Sequence, residues 1–271
     1  MKLRDALAEA TRLLAGSGTP RLDAELLMAH ALGETREAVL LHHLDAPVPI
    51  SFDHLIARRL AGEPIAYITG RRAFWTIDLE VGPGVLVPRP DSETLIEAAL
   101  AHFGEAGPTT ILDLGTGPGT LLLAALDQWS DAQGVGVDRS PIALDYARRN
   151  AERLGLAARA RLCLGDWVSE LSERFDLILC NPPYIRADAA LPRDVAAWEP
   201  HEALFAGPDG LDDYRRLAPP IPHLLAAGGL ACIEIGADQE QPVSALCRAA
   251  GLRVTPHRDL AGHVRCLALR A

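Results

Sequence analysis

The sequence has 271 residues, 49% of them hydrophobic and 23% charged, enough to bury one large core with a smaller one beside it. Its formal net charge of -10 argues against a phosphate-neutralising surface, so direct nucleic-acid binding is not expected. No apolar run approaches the ~20 residues that span a bilayer, and the opening MKLRDALAEATRLL lacks the apolar core of a signal peptide. A cytoplasmic protein without membrane contact is expected.

Along the chain, Leu3, Leu7, Ala10, Leu13 and Leu14 recur at helical spacing, and Pro20 opens a second helix carrying Leu22, Leu26, Leu27 and Ala29. Ser51 or Asp53 is placed to cap a further helix through Leu60, which Gly62 stops. With nine acidic and seven basic side chains, residues 1–63 read as a small helical domain with no cationic face. Residues 64–90 change character. Segments 65–68 and 74–79 read as strands, with turns at Gly70 and Gly82-Pro83-Gly84, which makes a β-hairpin linker. Asp91-Ser92-Glu93 then opens a helix through Leu100, with carboxylates at its positive end.

Residues 91–271 form the third segment. Short apolar strands are expected at 110–114, 134–137, 160–164, 176–180, 229–235, 253–256 and 264–269, with helices between most of them, including 141–154 and 239–250. Such alternation implies an α/β fold with a mainly parallel sheet covered on both faces. The irregular stretch from Tyr184 to about Gly210 is long for a compact domain, and such loops are often functional. Cys163, Cys180, Cys232, Cys247 and Cys266 form no C-x-x-C pair, and structural roles are expected for them.

The first strand of this region runs into Gly115-Thr116-Gly117-Pro118-Gly119 and then into an apolar helix. Glycines at that junction let the backbone approach a ligand closely. Asp138 follows 19 residues after Gly119, at the end of the second strand, where a carboxylate can accept from ribose hydroxyls. Three readings of the loop remain open: a turn without ligand, a nicotinamide site, and an S-adenosylmethionine site. The spacing is G-x-G-x-G, whereas the nicotinamide fingerprint is G-x-G-x-x-G. Asp166, after the third strand, is placed to accept from an adenine amine, and Trp167 offers a flat face beside the ring.

The segment Asn181-Pro182-Pro183-Tyr184 ends the fourth strand. Two prolines fix φ and remove two N–H donors, so the carbonyls there are held without internal competition. A planar NH2 group needs two acceptors, and the Asn181 side-chain oxygen and the Pro182 carbonyl supply them. Tyr184 can stack on the flat group. Such a clamp suits methyl transfer to an amide-type or aniline-like nitrogen, and no metal is implied.

Together, Asp113 to Gly119 and Asn181 to Tyr184 resemble the amino-methyltransferases, which act on adenine, on guanine in ribosomal RNA, or on protein glutamine. Gly62-Glu63-Pro64-Ile65-Ala66-Tyr67-Ile68-Thr69-Gly70, Phe74-Trp75, Leu86-Val87-Pro88-Arg89-Pro90-Asp91-Ser92-Glu93 and Glu199-Pro200 resemble the HemK/PrmC branch. That resemblance covers nearly the whole chain. It implies a small helical substrate-recognition domain before a Rossmann-like, seven-stranded S-adenosylmethionine-dependent methyltransferase domain whose last strand is antiparallel. The implied reaction is methylation of the side-chain N5 of glutamine in the Gly-Gly-Gln motif of class 1 peptide chain release factors, the protein partner. The alternative is a DNA or RNA base amino-methyltransferase. Carried over by position, Gly115, Thr116, Gly117, Pro118, Gly119, Asp138 and Trp167 bind the cofactor. Asn181 meets both cofactor and substrate, and Pro182, Pro183 and Tyr184 frame the glutamine. Asn181, Pro182 and Tyr184 are the expected catalytic residues. Pro118 and Ser92 depart from the branch, which usually has Thr or Ser at the first and Thr at the second.

Overall fold

The computed structural model describes residues 1–168 and 171–271 and divides into two compact units, Met1–Arg71 with Leu191–Trp198, and Arg72–Ala190 with Glu199–Ala271. In the first unit, helices Leu3–Leu13, Pro20–Leu32, Phe52–Leu60 and Ile65–Thr69 bury a core that includes Leu3, Leu7, Leu27, Met28, Phe52 and Ile68. Spacing alone overcounts this core, because Leu13 and Leu22 remain 55% and 40% exposed. Buried Asp23 accepts hydrogen bonds from Ser17 Oγ (2.6 Å), Thr19 Oγ1 (2.8 Å) and Arg59 Nε (2.8 Å). A charge out of water needs such partners.

Two expected strands are corrected. Residues 65–68 lie in the helix Ile65–Thr69, entered from extended Pro64 and closed by left-handed Gly70 (φ 73°). Ala66, Tyr67 and Ile68 are all buried in succession, a pattern that short apolar runs share between helix and strand. Residues 74–79 are not one strand. They divide between β1 (Arg71–Phe74) and β2 (Ile77–Glu80), which pair as a two-stranded sheet and turn at Trp75-Thr76. Trp75 takes φ 52° without being glycine. Its N–H donates to Glu93 Oε1 (2.9 Å), its indole N–H donates to Gln128 Oε1 (3.0 Å), and Thr76 Oγ1 donates to Asp127 Oδ2 (2.6 Å). Contacts distant in sequence hold a turn that lacks the usual turn residues.

The second unit carries β3 (Thr110–Leu114), β4 (Gln133–Asp138), β5 (Ala160–Leu164), β6 (Phe175–Cys180), β7 (Leu225–Glu234), β8 (Arg253–Arg258) and β9 (Val264–Arg270). They form one seven-stranded sheet in the order β5-β4-β3-β6-β7-β9-β8, parallel except for β9, which runs antiparallel to β7 and β8. Helices Glu93–Phe103, Thr120–Gln128, Pro141–Arg153 and Glu240–Ala249 pack on it. Strands covered on both faces read as continuous apolar runs, which is why β3 and β6 are visible in sequence.

Register sets the working edge. Leu114 pairs with Val137 on one side and Cys180 on the other, and Cys180 pairs in turn with Ile233. Residues 115, 138, 181 and 234 therefore reach the carboxyl edge of four adjacent strands together. The chain order reverses at β3, between β4 and β6, and open α/β sheets bind ligands at such switch points. Among the described residues, no helix is long and apolar enough to cross a membrane. Cys180, Cys232, Cys247 and Cys266 are buried free thiols, while Cys163 is partly exposed.

One polar side chain fastens the two-stranded sheet to this edge. Asn150, 0% exposed, accepts from Glu80 N–H (2.7 Å) and donates to Glu80 O (3.0 Å) and Pro118 O (2.9 Å). It completes β2 as a neighbouring strand would. Asn150→Ala leaves these groups unpaired, at about 1–3 kcal/mol for each one that stays buried. The expected result is a lower denaturant midpoint with an unchanged far-ultraviolet circular dichroism spectrum.

Candidate active site

The glycine loop is shaped before any ligand arrives. Gly115 N–H (2.9 Å) and Thr116 N–H (3.0 Å) both donate to Val137 O, which ties the loop to the end of β4. Gly119 takes φ 89°, and a Cβ there would stand 2.7 Å from Leu123 Cδ1, so only glycine fits the entry to helix Thr120–Gln128. Asp138 closes the other side: Oδ2 accepts from Gly117 N–H (2.8 Å) and Oδ1 from Ser140 N–H (2.8 Å). Each oxygen keeps a lone pair for a further donor. Burial pushes the Asp138 carboxyl above its ordinary range, partly countered by those two N–H groups.

Asp113 is the acidic group that sequence reading left out of the site. It is 1% exposed; Oδ2 accepts from Thr116 Oγ1 (2.6 Å) and Leu122 N–H (3.1 Å), and Oδ1 has no partner. Burial drives its carboxyl up to about 7. The hollow it lines also takes in Gly115, Gly117 and Asn181. The signal was available in sequence, as a lone carboxylate inside an apolar strand.

Beside this hollow lies a cleft open to solvent, with about 650 Å³ of free space when its mouth is included. Gly115, Gly117, Asp138, Asp166, Trp167, Asn181 and Pro183 line it, so the structure brings most of the residues singled out in sequence to one cavity. Thr116 and Pro118 line the hollow beside Asp113 instead, and Gly119 lies behind as the helix cap. Trp167 holds a left-handed φ of 56°, and its indole N–H donates to Asp213 Oδ1 (3.2 Å). Its ring edge crosses Gly115, where a Cβ would meet Cζ3 at 3.2 Å. Asp166 Oδ2 accepts from Arg216 Nη2 (2.5 Å), a pairing its sequence position did not disclose.

Segments that sequence reading did not place at the site close the cleft. One wall is Gly84, Val85 and Leu86, and another is Pro200, Glu202 and Ala203. Buried Glu199 joins them, accepting from Val87 N–H (3.0 Å) and from Arg89. Arg139 Nη2 donates to Glu202 O (2.8 Å), which adds a second tie.

Asn181 leaves β6 in the middle of this edge, and its Nδ2 donates to Ser92 Oγ (3.1 Å). Pro182 and Pro183 are buried. Tyr184 lines an adjoining groove with Gln239 and Arg265, and its hydroxyl donates to Glu234 Oε1 (3.3 Å). Its main chain is held as well, since Gln239 Nε2 donates to Tyr184 O (2.9 Å). Burial and the facing Glu234 carboxylate raise the Tyr184 phenol above its ordinary range, so it stays a neutral donor.

Comparison with known proteins gives this geometry a family. The model of the PrmC N-terminal domain matches residues 5–70, and that of a methyltransferase domain matches residues 107–232. A release factor glutamine methyltransferase of Rhodospirillum rubrum is 46% identical over 95% of this chain and 81% of its own length. The chain belongs to the release factor glutamine methyltransferase family. A member from Cereibacter sphaeroides is 44% identical over 100% of this chain and 99% of its own. Solved structures agree in fold. A methyltransferase from Pyrococcus furiosus superposes with a TM-score of 0.55 at 20% identity, over 81% of this chain and 98% of that one. A T. thermophilus 16S rRNA N2 G1207 methyltransferase in complex with AdoMet and guanosine gives 0.54 at 21% identity, over 74% and 50%.

The raised Asp113 carboxyl has a consequence for stability. A folded-state value near 7, against about 4 unfolded, means that its contribution is full below about pH 4 and is lost as pH rises through about 7. Asp113→Asn carries no such dependence. Relative to wild type, the variant gains stability between about pH 4 and about pH 7, read as urea midpoints. An offset constant across that interval counts against a buried, uncharged Asp113.

Proposed function

We propose that this chain transfers a methyl group from S-adenosylmethionine to the side-chain N5 of the glutamine in the Gly-Gly-Gln motif of class 1 peptide chain release factors. The observation that carries the reading is 40–46% identity, over most of the chain, to enzymes named release factor glutamine methyltransferase. The site residues support it.

The cofactor fits the residues present. The unpartnered, buried Asp113 Oδ1 would hold the cofactor's ammonium group, which would favour the ionised carboxylate. The Asp138 oxygens retain lone pairs for the ribose hydroxyls. Trp167 and Asp166 take the adenine side, the ring by its face and the exocyclic amine by main chain or carboxylate. Gly115, Thr116, Gly117, Pro118 and Gly119 let the amino-acid portion lie against the backbone. When bound, the cofactor supplies a sulfonium methyl as the electrophile.

The remaining work is positioning. An amide nitrogen is a poor nucleophile because its lone pair is delocalised into the carbonyl. Asn181 Oδ1 and the Pro182 carbonyl accept its two hydrogens, Pro183 bounds the slot, and the Tyr184 ring lies flat on the amide. Fixing the nitrogen in line with the methyl supplies about 7–11 kcal/mol of the barrier in well-aligned cases. No further electrophile is needed. Residues 1–63 are assigned to recognition of the protein substrate away from the glutamine, and residues 91–271 to catalysis, joined through residues 64–90.

Three measurements test the reading. Asp138→Ala weakens cofactor affinity by about 1–3 kcal/mol by calorimetry, since ribose hydroxyls lose their charged acceptor. Asn181→Ala loses on the order of 100-fold in turnover on a purified release factor, because misplacement at the reacting centre costs about that much. Its circular dichroism spectrum is unchanged. Labelled methyl incorporation is lost when the Gly-Gly-Gln glutamine of the factor is replaced, and an isolated peptide carrying the motif is a much poorer substrate than the whole factor. Incorporation into nucleic acid in place of the factor identifies a base methyltransferase instead.

A further inference from the structure

Asn181 is oriented by residues from outside its own loop. Its Nδ2 donates to Ser92 Oγ at 3.1 Å, Ser92 Oγ donates to Glu234 Oε2 at 2.5 Å, and the Tyr184 hydroxyl donates to Glu234 Oε1 at 3.3 Å. Ser92 closes the 3-10 turn Pro90–Ser92, and Glu234 ends β7. Both are sealed from solvent, at 2% and 1% exposure, so water cannot replace either partner.

The order of donors and acceptors follows from chemistry. While Glu234 is ionised it has no hydrogen to give, and the single Ser92 hydroxyl proton is committed to it; burial pushes that carboxyl up to about 7, so the relay holds this direction above that range. Ser92 Oγ then offers only lone pairs to Asn181, and only the NH2 end of the amide can meet them. The two ends of an asparagine amide are nearly the same shape, so sterics alone cannot choose between them. The relay chooses, and it leaves Asn181 Oδ1 for the cleft that Asn181 lines. Reversed, the amide would aim an NH2 group at the substrate NH2 and remove an acceptor from the clamp.

We propose that Ser92 and Glu234 are positioning residues that fix the Asn181 amide with its oxygen toward the substrate nitrogen, while the same carboxylate anchors Tyr184. The inference rests on the amide methylation proposed above. Two surrounding features support it. Arg265, which pairs with Asp91 at 3.1 Å, lends positive charge that partly offsets the burial pushing the Glu234 carboxyl up. Tyr214 donates to the Glu234 main-chain oxygen at 2.9 Å, which holds the end of β7 in place.

The test compares Ser92→Ala, Ser92→Thr and Glu234→Gln in the full-length enzyme, with a release factor as methyl acceptor. Ser92→Ala removes the relay and frees the amide to turn, so kcat falls on the order of 10–100-fold. Cofactor affinity by calorimetry and KM for the factor stay within about twofold of wild type, as positioning without binding requires. Ser92→Thr restores the hydroxyl and recovers most of the loss. Glu234→Gln can donate to Ser92 Oγ and so permits the reversed relay; it lowers kcat in the same way, and it serves as the second reading should Ser92→Ala fail to fold. Wild-type kcat in either disrupting variant overturns the inference. So does a loss lying in KM or cofactor affinity, or an equal loss in the Ala and Thr variants, which assigns the effect to packing. Wild-type enzyme run alongside separates the two claims. No transfer by wild type sinks amide methylation itself, whereas active wild type with undiminished Ser92→Ala sinks only the relay.

Discussion

Four parallel strands run in register through the row Val137, Leu114, Cys180 and Ile233, and the candidate site begins one residue beyond it. Because the strands are hydrogen-bonded in fixed register, Asp138, Gly115, Asn181 and Glu234 cannot slide relative to one another without breaking the sheet. A loop built on this edge inherits its precision from the ladder behind it. The close approach of backbone at Gly115, the acceptor at Asp138 and the amide at Asn181 are all placed by that one constraint.

The same edge gathers acidic groups where little water reaches them. Asp113 and Glu234 are both buried, and both carboxyls are pushed up to about 7. Neither helps the fold as an isolated group, since a buried carboxylate costs stability unless it is paired. Glu234 is met by Ser92, Tyr184 and the charge of Arg265. Asp113 keeps one oxygen without a partner. Departures of this kind from a well-satisfied interior are expected where a protein binds and reacts. Here the unanswered acceptor sits beside the glycine loop, where the ammonium of the proposed cofactor would complete the set.

Much of this organisation is legible in the sequence. The runs that became β3 and β6 are largely apolar, with one aspartate each, because both faces are covered, and the loops after them stand out as glycines and prolines. Residues 65–68 and 74–79 misled for a definite reason. The first is too short for periodicity to separate helix from strand, and the second hides a turn at Trp75-Thr76 that Glu93, Asp127 and Gln128, distant in sequence, stabilise. The partners of Asn181 were out of reach for a related reason. Ser92 and Glu234 lie 89 and 53 positions away along the chain, and only the fold reveals the contact. Each nevertheless leaves a trace. Glu234 is the single charge within the apolar run of β7, and Asp113 is the single charge within β3.

The clamp proposed for the substrate amide can be tested directly. A crystal structure of the enzyme with S-adenosylhomocysteine and a Gly-Gly-Gln peptide tests it most simply, at a resolution where the asparagine rotamer follows from its hydrogen bonds. The expected result has the glutamine nitrogen within hydrogen-bonding distance of both Asn181 Oδ1 and Pro182 O, with the Tyr184 ring flat against the amide and Asn181 Nδ2 still on Ser92 Oγ. A glutamine bound away from Asn181, or an Asn181 amide turned so that its nitrogen faces the peptide, contradicts the mechanism.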